Sequence, residues 1–220
     1  MNIDKAYTIA RSALASAEDA QEIVIAANLR QLCDMLEIEI RATAARSAKV
    51  QNRQRAALRI LKNAEKSTSS DFFHKAWRDT EGRQFVCDGY QAVALNTPLP
   101  LPEGSNNMPN IENAILAARR VKTPLDLAYS LAELKGLKAI HDAEQKRYAA
   151  KTRKPGYFTF GENAPDVNID YLINTLEILP NAQLSYSEQQ GKNSPVYLGS
   201  PDGCGIIMPS NVTSGNYVNA

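Results

Sequence analysis

Hydrophobic and polar residues follow a helical spacing in the first 81 residues and form short, interrupted runs in the remainder. Residues 1–81 contain neither glycine nor proline, since all 11 glycines and all 11 prolines lie at or after Gly82. Alanine, leucine, glutamate, arginine and glutamine are abundant in this stretch, and these residues favour helix. The sequence therefore predicts three helices, over residues 4–16, 17–48 and 51–66.

The remainder of the chain predicts strands together with two further helical segments. Short apolar or aromatic runs bounded by turn residues are typical of strands, and here they cover residues 72–78, 83–87, 91–95, 157–160, 183–186, 196–199 and 205–208. A helix is predicted over residues 168–179, where Pro180 ends it. A longer helical stretch is predicted over 109–151, with Thr123 as an N-cap and Pro124 as the first helical residue. The predicted fold class is α+β.

The segment 54–66, QRAALRILKNAEK, has two different faces at helical spacing. One face is an apolar stripe that can lie on a sheet, and the opposite face is basic. The apolar stripe consists of Ala57, Ile60, Leu61 and Ala64, and the basic face consists of Arg55, Arg59, Lys62 and Lys66. Such a row of bases can follow a phosphate backbone. A solvated basic face is the alternative, and it is the commoner case for a single helix.

Charge is divided between the predicted helices, although the whole chain has a formal net charge of only +1. Residues 17–40 carry six acids and one base, whereas residues 41–66 carry eight bases and one acid. Two oppositely charged helices packed as a hairpin would give this pattern, and so would two solvated faces. The three cysteines are far apart and odd in number, which favours a reducing, cytoplasmic location. No apolar run is long enough for a membrane span.

The sequence offers little catalytic chemistry. His74 and His141 are its only histidines, no metal-binding spacing is present, and neither glycine-rich phosphate-binding motif occurs. Cys87 lies in an apolar predicted strand, which favours a buried structural thiol over a nucleophile. We therefore expect a protein that is not an enzyme and has no metal or cofactor.

Two blocks of sequence, together about 95 residues, carry short motifs in a definite order. In the first block a helix and a strand pair lead to CDGYQAV at residues 87–93, and in the second a strand and a Tyr-Leu-containing helix lead to IIMP at residues 206–209. In this order and spacing the two blocks resemble the bacterial DNA sliding clamp, the beta subunit of DNA polymerase III. That family has a Thr-Asp-Gly-His-Arg-Leu-Ala motif in the first block and a Val-Val-Met-Pro-Met ending in the second, where Ser210 stands in place of the final methionine.

The resemblance implies a domain of antiparallel sheets with two packed helices that line the hole of a ring around duplex DNA. The implied DNA-binding residues are Arg55, Arg59, Lys62 and Lys66. Polymerase-type or other protein partners would insert a short peptide into an apolar pocket made by the two motifs. The implied peptide-binding residues are Gly89, Tyr90, Gln91, Ile207, Met208 and Pro209.

The chain also departs from the clamp pattern. It has sequence for one domain, so a ring of six domains would need a homo-oligomer of six copies. The second helix carries Asp170 and Glu177 and no base, and acids that face phosphate oppose binding. The two pocket motifs belong to neighbouring domains in the family, so a pocket is expected across a subunit contact. We expect a helical arm over 1–50, a clamp-like domain over 51–220 and a helical insertion at about 105–152.

Two functional hypotheses follow. The first is a non-catalytic, DNA-associated accessory protein that resembles a processivity factor of DNA replication, in a reduced form that would suit a phage or mobile element. The alternative keeps the clamp fold without DNA binding: a protein-interaction adaptor that assembles through the helical arm.

Overall fold

The structure is a computed structural model that describes residues 3–19, 23–67, 71–104, 111–120, 123–211 and 216–219. The chain divides into two compact units, Met1–Gln51 and Asn52–Ala220. Helices and antiparallel strands are both present, so the predicted α+β class is confirmed. Within the described ranges, no helix is both long and apolar enough to cross a membrane.

The first unit contains helix α1 (Ile3–Asp19) and the N-terminal part of helix α2 (Ile23–Ser67). Small and apolar side chains from the two helices form one buried cluster: Ala10, Leu14, Ala17, Ala26 and Cys33. Other large apolar side chains of this unit remain exposed, namely Ile9, Ile25, Leu32, Met35, Ile38 and Val50. The first unit thus buries one stripe of each helix and leaves further apolar surface open.

Helix α2 is continuous over 45 residues. The sequence predicted two helices here, with an interruption between residues 48 and 51, and that prediction was wrong. Ala48, Lys49 and Val50 contain no helix breaker, and Ala and Lys are good helix formers. The uninterrupted backbone hydrogen bonding therefore carries the helix into the second unit, where it ends at Ser67.

The second unit is built on a seven-stranded sheet in which every neighbouring pair is antiparallel. In spatial order its strands are β1 (Trp77–Arg78), β2 (Gln84–Cys87), β3 (Gln91–Leu95), β9 (Gly203–Ile207), β8 (Val196–Ser200), β7 (Gln183–Tyr186) and β4 (Thr123–Leu125). Apart from the edge strand β4, the sheet consists of two three-stranded meanders that meet at the β3–β9 pair. Each meander follows a helix: α2 precedes β1, and α5 (Ile169–Ile178) precedes β7. The antiparallel central pair relates these two helix-and-meander repeats by an approximate twofold rotation.

Both helices of this repeat pack on the same face of the sheet. The core contains Ala57, Ile60 and Leu61 from α2, Leu172, Ile173 and Leu176 from α5, and Val86, Val93, Leu95, Leu184, Val196, Leu198 and Ile207 from the strands. The stripe predicted from the sequence of α2 is therefore the buried one. Burial of each large aliphatic side chain of this kind stabilises a fold by about 1.5–3 kcal/mol.

The opposite face of the sheet is covered in part by helix α3 (Ile111–Arg120). Strand alternation sends Phe85 and Cys87 to this face while Val86 faces the two helices. Ile111 and Ile115 of α3 pack against them in a second buried cluster. This helix lies in the predicted helical insertion, which therefore contributes to the packing of the sheet.

The prediction that Thr123 and Pro124 begin a helix was wrong. Both residues lie in edge strand β4, which pairs with β7, and an edge strand tolerates proline because one side of it needs no hydrogen bonds. Helix α4 (Leu131–Gln145) begins later, where Ser130 and Glu133 form a reciprocal capping box.

Two further details of the strand predictions were wrong. The predicted strand over 72–78 is mostly a 3₁₀ turn, Asp71–His74, and only Trp77–Arg78 forms a strand. A separate two-stranded sheet joins β5 (Tyr157–Thr159) and β6 (Asp166–Asn168). Strand β6 was not predicted, because three residues with two polar side chains carry little strand signal.

Candidate functional site

Helices α2 and α5 run antiparallel on the sheet. Arg53 lies near the start of the part of α2 that belongs to the second unit. It donates from Nε to the Ile178 carbonyl oxygen, near the end of α5, at 2.9 Å. Arg59 further along α2 donates from Nε to Asn174 Oδ1 at 2.8 Å, one turn earlier in α5. The C-terminal end of α2 therefore lies towards the N-terminal end of α5.

An open groove of about 890 Å³ lies between these helices and α4. It is lined by five cationic side chains and two acidic ones, a charge difference of +3 (5 − 2). The cations are Arg59, Lys62, Lys66, Lys135 and Lys138, and the acids are Asp170 and Glu177. Its walls come from three helices that pack on the core of the second unit. We refer to it as the basic groove.

Both acids of the basic groove are already neutralised by neighbouring cations. Glu177 forms ion pairs with Arg59 and, at 2.5 Å, with Lys135, and its side chain is mostly buried. Asp170 lies 3.3 Å from Lys138. From the sequence, these carboxylates were expected to repel phosphate, but their charges are compensated within the protein. Partial burial works against the charge of Lys138, yet hydrogen bonding to Asp142 and the charge of Asp170 raise its pKa overall.

The four basic residues predicted to contact DNA do not all have the same role. Arg59 is bound to Asn174 and Glu177, so it joins α2 to α5. Arg55, Lys62 and Lys66 are exposed and form no ion pair within the described ranges of the chain. These three residues, which we call the free basic row, lie on one side of α2 and present uncompensated positive charge to solvent.

The Asp-Gly pair at residues 88–89 forms the turn between β2 and β3. Asp88 is buried, and its Oδ1 accepts from the backbone N–H groups of Tyr90 and Gln91, both at 2.9 Å. Its Oδ2 accepts from Gln91 Nε2 at 2.8 Å. Gly89 has a φ of 90°, which a residue with a side chain rarely adopts. Burial raises the pKa of Asp88 in spite of these hydrogen bonds, and the carboxylate is occupied in holding the turn.

The six residues predicted to bind a peptide divide into buried and exposed sets. Gln91 and Ile207 face each other across the β3–β9 pair and are fully buried in the chain, so their side chains are not presented at the surface. Gln91 instead accepts from Thr175 Oγ1 at 3.3 Å. The surface set consists of Gly89, Tyr90, Met208 and Pro209.

The two motifs meet within a single chain. The backbone N–H of Met208 donates to the Tyr90 carbonyl oxygen at 2.8 Å, and strands β3 and β9 pair along their whole length. The two motifs are therefore neighbours within one chain, without any subunit contact. The reason is the approximate twofold repeat, which places the last strand of each meander at the centre of the sheet.

Tyr171 is a site residue that the sequence analysis did not identify. It lines the basic groove and stacks on Tyr90, with ring centroids 6.0 Å apart and an angle of 11° between the rings. Burial, followed by the nearby Asp88, raises the pKa of Tyr171 to about 12. In the sequence Tyr171 directly precedes Leu172 of the apolar stripe of α5. The sequence around it does not indicate that its side chain faces a groove.

The environment of Cys87 disfavours a thiolate, although the Gly89 N–H donates to its Sγ at 3.2 Å. Its thiol is buried, and burial raises its pKa to about 12. A thiol with such a pKa is almost entirely protonated at neutral pH, and only the thiolate is strongly nucleophilic. The environment of Cys87 therefore fits the structural assignment made from the sequence.

A larger cavity, of about 1310 Å³, lies on the other face of the sheet beside α3. Its lining includes Arg83 and Tyr197. Arg83 is bound to Asp79 at 2.6 Å and also to Glu112, so its charge is compensated by two carboxylates. Size alone favours this cavity, and Arg119 is a second cation in its lining. The basic groove, however, brings together five cationic side chains against these two, and we take the groove as the candidate functional site.

No protein-family model matches the chain, and no curated protein or solved structure matches it either. The resemblance to the sliding clamp therefore stays a prediction made from sequence motifs. The geometry and charges described above are the basis on which a function is proposed.

Proposed function

We propose that this protein is a non-catalytic, DNA-associated accessory factor that contacts the phosphate backbone of duplex DNA through the free basic row of α2. The observation that carries the proposal is that Arg55, Lys62 and Lys66 are exposed and without ion-pair partners in the described ranges, on a helix fixed to a packed sheet. Positive charge held rigidly in a row favours a regularly charged polymer over a small anion.

The spacing of the free basic row suits a duplex. Eleven residues separate Arg55 from Lys66, which corresponds to about 16 Å along a helix axis at 1.5 Å per residue. Duplex DNA rises by about 3.4 Å per base pair, so the row extends over roughly five base pairs. Arg and Lys side chains along this length can contact phosphate oxygens without contacting any base. Binding through phosphates alone is independent of the DNA sequence.

The fold gives the clamp hypothesis further support. The resemblance implies two helices that lie side by side on one sheet, and α2 and α5 are arranged in this way. Because Glu177 and Asp170 are ion-paired, the acids of α5 no longer argue against phosphate at this surface. One chain provides one such domain, and a closed ring of clamp type would need six copies.

The experiment that tests this function is equilibrium binding of the intact protein to a 20-base-pair duplex over a range of salt concentrations. Three phosphate contacts predict a slope of log K against log[salt] of about −2.7, which corresponds to an affinity loss of roughly fortyfold between 50 and 200 mM salt. A slope close to zero would contradict backbone binding. An unrelated sequence of equal length should bind equally well.

The same titration distinguishes the second candidate, an adaptor that binds protein and not DNA. It is favoured by the exposed apolar residues of the first unit, among them Leu32, Met35 and Ile38, because such surface commonly marks a protein contact. Negligible duplex binding at about 150 mM salt, where charges are screened beyond about 8 Å, would support the adaptor.

A further inference from the structure

An exposed aromatic ring lies at one end of the basic groove. Tyr90 is 52% exposed, and one face of its ring rests on Tyr171. The hydrogen-bonded backbone and the supporting ring favour this stacked orientation. A flat ring of this kind offers its open face to another flat, apolar group.

The backbone that carries the ring is hydrogen-bonded on both sides of Tyr90. The Tyr90 N–H donates to Asp88 Oδ1 at 2.9 Å, and the Tyr90 carbonyl oxygen accepts from Met208 N at 2.8 Å. Both partners are anchored, Asp88 by burial and Met208 by its place directly after β9. A ligand that stacks on Tyr90 would therefore meet a surface that loses little conformational freedom on binding.

Uncompensated positive charge lines the same groove as Tyr171, the ring on which Tyr90 stacks. Since α2 and α5 run antiparallel, Lys62 and Lys66 lie beyond Arg59 towards the N-terminal end of α5, where Tyr171 is located. Tyr171, Lys62 and Lys66 line the same groove. A ligand that joins a flat ring to phosphates would thus find both partners within one surface.

We propose that Tyr90, supported by Tyr171, is a stacking platform for an unpaired nucleobase, so that the preferred ligand is a duplex that continues into a single strand. The inference rests on the proposed function, because the free basic row must hold the duplex part. Base–aromatic stacking together with a basic groove is the usual means of binding single strands without sequence preference. A bound peptide is less well suited here, because Gln91 and Ile207 are buried and the surface offers a flat ring beside basic side chains.

The test compares three ligands of equal duplex length: a blunt duplex, the same duplex with a five-nucleotide single-stranded overhang, and that overhang with abasic sites throughout. The abasic ligand keeps every phosphate and removes only the bases. The intact protein should bind the normal overhang about tenfold more tightly than the abasic one, which lies within the range for one stacked base. Equal affinity for these two ligands would overturn the inference.

Variants locate the effect on Tyr90. Tyr90→Ala should remove the tenfold preference, and Tyr90→Phe should keep it, because phenylalanine retains the stacking ring. Tyr148→Ala is the matched control, since Tyr148 is exposed to a similar degree, at 59%, outside the basic groove. A preference that survives Tyr90→Ala would overturn the assignment of the ring.

The outcomes separate this inference from the proposed function. Failure to bind any of the three ligands would end both, whereas equal binding of all three would leave the duplex-binding function and end the platform. A short clamp-binding peptide serves as the competing probe. The platform is overturned if the protein binds the normal and abasic overhangs equally and binds the peptide in a way that Tyr90→Ala abolishes. The surface would then belong to a protein partner.

Discussion

Replacement of Arg55, Lys62 and Lys66 together by glutamate is expected to weaken duplex binding by at least about a hundredfold at 100 mM salt and to remove most of the salt dependence. The physical reason is that three uncompensated positive charges become negative at the surface that faces phosphate. All three side chains are exposed, so the fold should remain intact. The measurement is duplex affinity by fluorescence anisotropy, with circular dichroism as the check on folding.

The matched control is a second triple reversal, Lys146→Glu, Arg147→Glu and Lys151→Glu. These residues are also exposed, and the change in net charge is identical. The control should keep most of the duplex affinity, because a change of net charge acts weakly through screened solvent. Equal losses in both triple variants would mean that net charge, and not the free basic row, controls binding.

Arg59 is deliberately left out of the reversed set. Its guanidinium is bound to Asn174 and Glu177 of α5, so Arg59→Glu would place two carboxylates together at the helix–helix contact. A loss of binding in that variant would not distinguish DNA contact from damage to the groove. The structure thus changes which residues should be tested, although the basic face as a whole was predicted from the sequence.

Replacement of Gly203 by alanine is expected to lower the free energy of unfolding of the second unit by at least about 4 kcal/mol. Gly203 has a φ of 148°, and a Cβ added there would lie 2.1 Å from the Ala94 carbonyl oxygen of the neighbouring strand. A backbone atom cannot move aside as a flexible side chain can, so the central β3–β9 pair would have to separate. Domains of this size are usually stable by only about 5–15 kcal/mol.

Urea denaturation followed by tryptophan fluorescence measures this effect, because Trp77 is the only tryptophan and is buried in the second unit. Gly136→Ala is the matched control: it makes the same chemical change in exposed helix α4, where a Cβ meets nothing within 4 Å. That variant should gain roughly 0.5–1 kcal/mol. Stability of Gly203→Ala within about 1 kcal/mol of the unchanged protein would contradict the close approach of β3 and β9.

The elements with strong periodicity were predictable from the sequence. The apolar stripe of Ala57, Ile60 and Leu61 is buried as its 3.6-residue spacing indicated, and Arg55 lies on the opposite, exposed face. The turn at Asp88 was also recognisable, because Asp-Gly favours turn geometry. These features depend on neighbours close in sequence, which a single chain displays directly.

The parts that depend on distant neighbours were not predictable. Glu177 reads as an exposed acid in sequence, and its pairing with Lys135 depends on how α4 packs beside α5. Gln91 reads as polar and available, yet it is buried because β3 lies at the centre of the sheet and Asp88 and Thr175 satisfy its amide. Tyr171 faces the groove only because α5 packs antiparallel to α2.

The central claim, that the free basic row of α2 meets DNA phosphates, is tested most directly by lysine acylation of the intact protein with and without duplex, read out by mass spectrometry. Lys62, Lys66, Lys146 and Lys151 are all exposed, so each should react in the free protein. We predict that bound duplex protects Lys62 and Lys66 and leaves Lys146 and Lys151 reactive. Protection of the second pair with continued reaction of the first would contradict the proposed interface.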